Sequence, residues 1–353
     1  MTYKKKLNWT QILLEWFHKN KRDFIWRKTK DPYNIWISEI ILQQTRVSQG
    51  LPYYKKFIDI FPDISTLALA SQDKVLKLWQ GLGYYSRAIN LHSTAQYIYY
   101  ECDGKFPNTF NEIINLKGIG DYTASAIASI CYNLPEAVVD GNVYRFLSRF
   151  FGISIPINTN SAHRHFKKKA SDLMDLDNPG EFNQAMMEFG ALQCKPKNPA
   201  CFKCPFKDNC VAYKNQKIDL FPVKKRNKNM KIRYLNYFVI QDKNQKIFLE
   251  KRKEKDIWKK LFQFPLIELP KLEYKKEELL FQVKSKYNFT VKFDKLELWN
   301  SAPLIHKLSH QKLYIHFWIL NLNGYLQNGI SVNDSKDLAM PIVIQNFIDN
   351  FYN

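Results

Sequence analysis

Nowhere does this chain carry an apolar run long enough to span a bilayer. Its N-terminus, Met1 to Trp9, places Lys4, Lys5 and Lys6 where a secretory signal needs apolar residues. Neither a membrane protein nor an exported, disulfide-bonded one is expected, so the six cysteines need an explanation within a reducing compartment. Acid is scarce as well: 33 Asp and Glu stand against 53 Lys and Arg, for a formal net charge of +20 over 353 residues. Such a surplus suits a polyanionic partner, because each neutralised phosphate releases a condensed counterion. The competing source of the charge is AT-rich coding, which enriches Lys, Asn, Ile, Phe and Tyr whatever a protein does. Internal repeats are missing too, which excludes a solenoid, and 45% hydrophobic residues exclude a disordered chain.

What is present divides into two parts. From residue 7 to about 220, apolar residues recur at helical spacing in Leu7 to Phe17, Ile35 to Val47, Asp73 to Leu78, Ser86 to Tyr100, Ala124 to Ile130, Asn142 to Phe150 and Asn183 to Leu192. This portion reads as mainly α. After Phe221-Pro222 come six basic residues and no acidic one between Lys224 and Arg233, a linker that is either near DNA or merely solvated. Beyond it, Tyr234 to Ile240, Lys246 to Lys251, Asp294 to Trp299 and Leu313 to Leu320 read as strands, with a helix over Glu277 to Lys286. The expected organisation is a helical domain over 1–222, a linker over 223–233 and an α+β domain over 234–353.

Four cysteines fall at Cys194-x6-Cys201-x2-Cys204-x5-Cys210. Four thiolates this close in sequence can surround one metal centre without help from distant segments. Zinc is the rival, but its sites more often pair two Cys-x2-Cys knuckles, and only one is present. A [4Fe–4S] cluster is the expected cofactor. Leu116-Lys117-Gly118-Ile119-Gly120 between helical segments reads as a helix–hairpin–helix, with Gly118 and Gly120 opening the backbone to a phosphate at the following helix N-terminus; a sharp corner alone would look similar. Two carboxylates stand out. Glu39, among Trp36, Ile37, Ile40, Ile41 and Leu42, is either a buried acid of raised pKa or a glutamate on the helix's polar side. Asp140, before Gly141 and Asn142, suits a helix N-cap and equally an ionised catalytic group. One protonated and one ionised carboxylate are what cleavage of an N-glycosidic bond requires.

Six segments occur together in a familiar order: Trp36 to Thr45, Gly81 to Arg87, the hairpin, Val139 to Val143, Phe182 to Met187, and the four cysteines. The chain resembles the MutY-type adenine DNA glycosylases of the endonuclease III, helix–hairpin–helix superfamily, densely over residues 9–213 and weakly beyond. The resemblance implies a two-lobed helical fold with an iron–sulfur loop, followed by a Nudix-like α+β domain. It implies that Glu39 protonates N7 of adenine and later activates water, and that Asp140, steadied by Asn142, stabilises the sugar cation. Tyr122 would hydrogen-bond near the sugar. Trp26, Arg27, Leu42 and Met187 resemble the walls around an extruded adenine, with Leu42 also readable as packing. Gln44, Thr45, Leu82 and Tyr84 match residues that wedge into the duplex and meet oxidised guanine; each is also readable as ordinary core or surface, Leu82 above all as packing.

Related base-excising lyases carry Lys at the position of Tyr122, because a Schiff base needs an amine. The expectation is therefore a monofunctional enzyme. Trp258 to Pro265 and Leu308-Ser309-His310 resemble lesion-reading segments of the Nudix-like domain, with two departures: Lys259 and Lys260 replace glycines, and Leu308 replaces Phe. Ser309 is retained as the expected reader of 8-oxoguanine. No Glu-rich pyrophosphatase box appears over 265–300. The implied partner is duplex DNA with adenine opposite 8-oxoguanine or guanine, bound by a monomer in the cytoplasm at the nucleoid. A bifunctional pyrimidine-lesion glycosylase and a non-catalytic DNA-binding protein on the same fold are the alternatives.

Overall fold

The computed structural model describes residues 3–225, 230–253, 256–271, 275–287 and 293–352. Residues 226–229 of the expected linker lie outside the described residues. The chain falls into two compact units: 1–69 with 93–227, and 70–92 with 228–353.

The helices of the first part are α1 (Tyr3–Asn20), α2 (Pro32–Leu42), α3 (Val47–Ile60), α4 (Ile64–Leu69), α5 (Gln72–Leu78), α6 (Ser86–Glu101), α7 (Phe110–Asn115), α8 (Asp121–Tyr132), α9 (Gly141–Phe151), α10 (Asn160–Leu173), α11 (Pro179–Leu192) and the single turn α12 (Val211–Lys214). Local chemistry sets their ends. Asp31 caps α2, accepting from the backbone N–H of Asn34, with Pro32 following at the first helical position. Asn133 and Gly152 close α8 and α9 in the left-handed conformation. The expected helix over Ile35 to Val47 is two helices, broken at 43–46, where Gln44 takes φ 57°. The first unit's core joins α1, α9, α10 and α11 through Trp9, Leu13, Phe17, Phe146, Phe166 and Phe189.

The second unit is built on a sheet of β1 (Lys231–Gln241), β4 (Leu266–Leu269), β5 (Phe293–Leu298), β6 (Leu304–Lys307) and β7 (Gln311–Leu322); β2 (Glu250–Lys251) and β3 (Phe262–Gln263) form a separate pair. Strand order is β4-β1-β7-β5, with β6 also on β7. β1 and β7 run parallel from Lys231↔Gln311 to Gln241↔Asn321. α13 (Lys276–Tyr287) packs Leu279 and Val283 on Phe238, Ile240, Trp318 and Leu320. α15 (Ile342–Tyr352), which follows the turn α14 (Val332–Ser335), packs Phe347 and Ile348 on the opposite face with Tyr237, Ile315 and Phe317. β1 begins inside the segment read as linker. Residues 70–92, read as part of the helical domain, group with the second unit and meet the segment before α15: Lys77 Nζ donates to the carbonyl of Leu338 at 3.2 Å and Tyr85 Oη to that of Met340 at 3.4 Å.

Beside Trp258, where Lys259 and Lys260 stand, the backbone is left-handed at two non-glycine residues, with φ 61° at Trp258 and 67° at Lys260. Each such residue costs about 1–2 kcal/mol without glycine. Among the described residues no helix is long and apolar enough to cross a membrane.

Candidate active site

Glu39, Leu42, Gln43, Gln44, Tyr122, Val139, Asp140 and Gly141 line one cavity of about 310 Å³, within the range of small-ligand pockets. Three helices supply it. Glu39 projects from the last turns of α2 while Ile35, Trp36, Ile37, Ile40 and Ile41 of the same helix are buried. Tyr122 stands in the first turn of α8, and Asp140 is the N-cap of α9.

Asp140 is held through both oxygens. Oδ1 accepts from the backbone N–H groups of Asn142 (2.9 Å) and Val143 (2.8 Å), and Oδ2 accepts from Asn142 Nδ2 at 2.7 Å. The cap and the candidate carboxylate are one group. Asn142 Oδ1 in turn accepts from Arg145 Nη2 at 2.8 Å, and Arg145 donates onward to the carbonyls of Gly190 (2.6 Å) and Cys194 (2.7 Å). Gly190 permits this packing: a Cβ there would lie 2.6 Å from the backbone oxygen of Asn142. Asn183 is fully buried and fixes the strand-like approach to Asp140, accepting from Val138 N and donating to the carbonyl of Glu136.

Burial pushes Glu39 up to about 7; the Tyr122 hydroxyl opposes this, and the charge of Asp140 adds to it. Tyr122 Oη also lies 3.5 Å from Met187 Sδ, which brings Met187 to the same place. Asp140 is raised by burial against the pull of Val143, Asn142 and Arg145. The result is an acid that holds its proton near neutrality beside a carboxylate wrapped in donors.

The other expected residues spread more widely. Arg27 acts on Glu39 electrostatically but lines a separate cavity of about 660 Å³ with Arg22, Lys28 and Gln184. Trp26 is buried, stacked on Phe24 and edge-on to Tyr54. Thr45 bonds the carbonyl of Gln43 and does not line the 310 Å³ cavity. Gly118 has φ 82° and makes the hairpin turn; Gly120 is extended, with nothing near its missing Cβ, so the N-terminus of α8 stays open. In the second unit, Leu82 is buried, and the hydroxyl of Tyr84 meets that of Ser309. Gln44 and Tyr84 are both left-handed (φ 57° and 48°), a strained conformation for such residues.

Sequence reasoning missed Glu188. It is 2% exposed and accepts from Arg22 Nε and Nη2 (both 2.8 Å) and from Arg27 Nη2 (2.9 Å), which hold it down to about 2 despite burial. An acidic residue six positions before Cys194, alone within the apolar stretch Ala185 to Leu192, was the available signal.

The four cysteines line one small apolar cavity with Phe146, Phe150, Phe189 and Phe206. All are free thiols. Among the described residues no group of three or more ligand side chains closes on a single ion. The four thiols share this one cavity, and as a set of potential thiolate donors they are of the chemical type that can hold a metal centre. Arg149, 2% exposed, braces the ring: it donates to the carbonyls of Lys195 (2.6 Å), Pro196 (3.0 Å), Ile218 (3.1 Å) and Phe221 (3.2 Å) and reaches Cys194 Sγ at 3.6 Å.

Comparison with known proteins agrees with this layout. The family model described as HhH-GPD superfamily base excision DNA repair protein matches residues 37–172, and the NUDIX domain model matches residues 236–350. The adenine DNA glycosylase of Buchnera aphidicola subsp. Acyrthosiphon pisum is 36% identical, covering 98% of this chain and 98% of its own. That of Buchnera aphidicola subsp. Baizongia pistaciae is 40% identical over 88% of this chain and 85% of its own. The solved structure of a thermostable thymine-DNA glycosylase aligns with TM-score 0.56 at 30% identity, covering 60% of this chain and 98% of that one. With kinship extending over nearly the full length of both chains, the protein belongs to the adenine DNA glycosylase family.

Proposed function

We propose that the chain hydrolyses the N-glycosidic bond of adenine mispaired with 8-oxoguanine or guanine in duplex DNA, as a monofunctional glycosylase. The observation that carries this is the pairing of Glu39 and Asp140 with Tyr122 at one cavity. Glu39, its pKa raised to about 7, delivers a proton to N7 of the extruded base. The C1′–N9 bond breaks, its electrons leave with neutral adenine, and a sugar cation remains. Asp140, capped by the α9 N-terminus, faces that cation as the anion. Water then adds at C1′ and gives its proton to the Glu39 carboxylate, which restores the acid. Tyr122 has no amine and forms no Schiff base.

The hairpin around Gly118 and Gly120 fits a phosphate contact that positions the duplex without reading sequence. Strain at Gln44 and Tyr84 supports their reading as residues aimed at the duplex, since such conformations persist mainly where function holds them. The contact between Tyr84 and Ser309 supports a shared place for the base opposite adenine. The enzyme acts as a monomer on chromosomal DNA in this reading. Incubation with duplex carrying A opposite 8-oxoguanine, then alkali, should break the strand at the A only after the alkali. Breaks without alkali would favour a lyase, and binding without breaks a non-catalytic protein.

Cys194, Cys201, Cys204 and Cys210 would hold a [4Fe–4S] cluster, which would fix the loop and take no part in bond cleavage. Arg149→Met would remove the side-chain donor shared by four carbonyls, of which that of Ile218 keeps the Phe221 N–H, at a cost on the order of 3 kcal/mol. The variant is expected to purify with severalfold less iron per chain than the parent. Equal iron content and equal resistance to a chelator would remove Arg149 from that role.

A further inference from the structure

The hairpin of β6 and β7 carries Ser309 at its tip, and the strands behind that tip expose an unusual face. In-register residues of adjacent strands share a face of a sheet. Ile232, Lys312 and Lys307 therefore form one row across β1, β7 and β6, and Tyr234, Tyr314 and Ile305 form the next. Farther along the same face, α13 covers Phe238, Ile240, Trp318 and Leu320. Near the tip the face is open: Ile232 is 52% and Ile305 54% exposed, Lys307 is exposed, and Lys312, Tyr234 and Tyr314 are partly so. Neither row contains an acidic side chain.

The polar groups are arranged. Tyr234 and Tyr314 stack with centroids 5.4 Å apart. Lys312 Nζ donates to Tyr314 Oη at 2.6 Å, so the hydroxyl proton of Tyr314 is free to point elsewhere. Lys231 N–H donates to the carbonyl of His310 at 3.1 Å, which ties the first row to the tip itself. The face thus offers two ammonium groups, Lys307 and Lys312, two and three residues from Ser309 at the base of the tip, and the Tyr314 hydroxyl five residues from it, one row farther back. At about 3.3 Å per residue that reach is up to roughly 17 Å, the span of several successive phosphates of one strand.

Resting on the reading that Ser309 meets the base opposite adenine, we propose that this face grips the sugar–phosphate backbone of the strand carrying that base, with Lys307, Lys312 and Tyr314 as phosphate donors. Charge complementarity and continuity with the Ser309 tip select this occupant. Backbone contacts position without reading sequence, so they should act equally on the two mispairs.

The test uses the full chain and a duplex with 2′-fluoro-2′-deoxyadenosine, whose sugar resists cation formation, opposite 8-oxoguanine or guanine. K307Q/K312Q is expected to weaken binding to both duplexes by roughly tenfold at moderate salt and to reduce the slope of log K against log salt by about 2. Y314F should weaken both severalfold with no change in slope. S309A serves as the contrast: it should alter the ratio between the two duplexes. An unchanged affinity and slope in K307Q/K312Q, with S309A acting as stated, overturns the backbone grip and leaves the face to a protein partner. A lowered slope with S309A inert sustains the grip and sinks lesion reading by Ser309 instead. A changed ratio in K307Q/K312Q also overturns the proposal, because the lysines would then be reading the base.

Discussion

Replacing Glu39 with Gln is expected to slow adenine release roughly a thousandfold while mispair binding persists. The substitution keeps the size and most of the hydrogen-bonding capacity of the side chain but removes the exchangeable acid proton. Nothing else at the cavity can supply it. Tyr122 is pushed well above its ordinary value by burial and by Glu39, so its proton is too tightly held. Asp140 has both oxygens occupied as acceptors. Loss of the proton leaves adenine to depart as an anion, and loss of the carboxylate leaves water without a base. Single-turnover excision with gel-shift binding checks both halves. Turnover within a few-fold of the parent would mean that another group donates the proton.

Asp140→Asn should cost a comparable factor, on the order of 10³, by a different route. Asn is as good an N-cap as Asp, so α9 keeps its bonds to Asn142 N and Val143 N and the fold survives. What goes is the negative charge facing the sugar cation. The new amide nitrogen would also oppose Asn142 Nδ2, two donors where a donor and an acceptor stood at 2.7 Å. A near-parental melting temperature with excision lost is the expected pair of results. Excision within tenfold of the parent would place the stabilising charge elsewhere.

Much of this was legible in the residues. Apolar spacing marked seven helical stretches, because each buries one face. It overran at Ile35 to Val47, since a left-handed Gln44 gives no signal in composition. It missed α10, whose Lys167, Lys168 and Lys169 dilute a face that buries only Ala162, Phe166, Ala170 and Leu173. Glu39, Asp140 and the cysteines were visible because short motifs carry them. Arg145, Arg149 and Glu188 were not. Their partners are main-chain oxygens or residues far along the chain, such as Arg22 to Glu188 across 166 positions, and no local pattern encodes a meeting of that kind. The same holds for residues 70–92, whose place in the second unit depends on Lys77, Tyr85 and the carbonyls of Leu338 and Met340.

The pairing of a proton-bearing Glu39 with an ionised Asp140 is tested most directly by the pH dependence of single-turnover excision. Glu39 is raised to about 7 and must be protonated to act, so the rate constant should fall about tenfold per pH unit above that value. Asp140 is raised above its ordinary value by burial and must be ionised, so a second fall belongs on the acid side. In Glu39→Gln the residual rate should lose the alkaline limb. A parental rate that stays flat or climbs from pH 7 to 9 would contradict Glu39 as the acid.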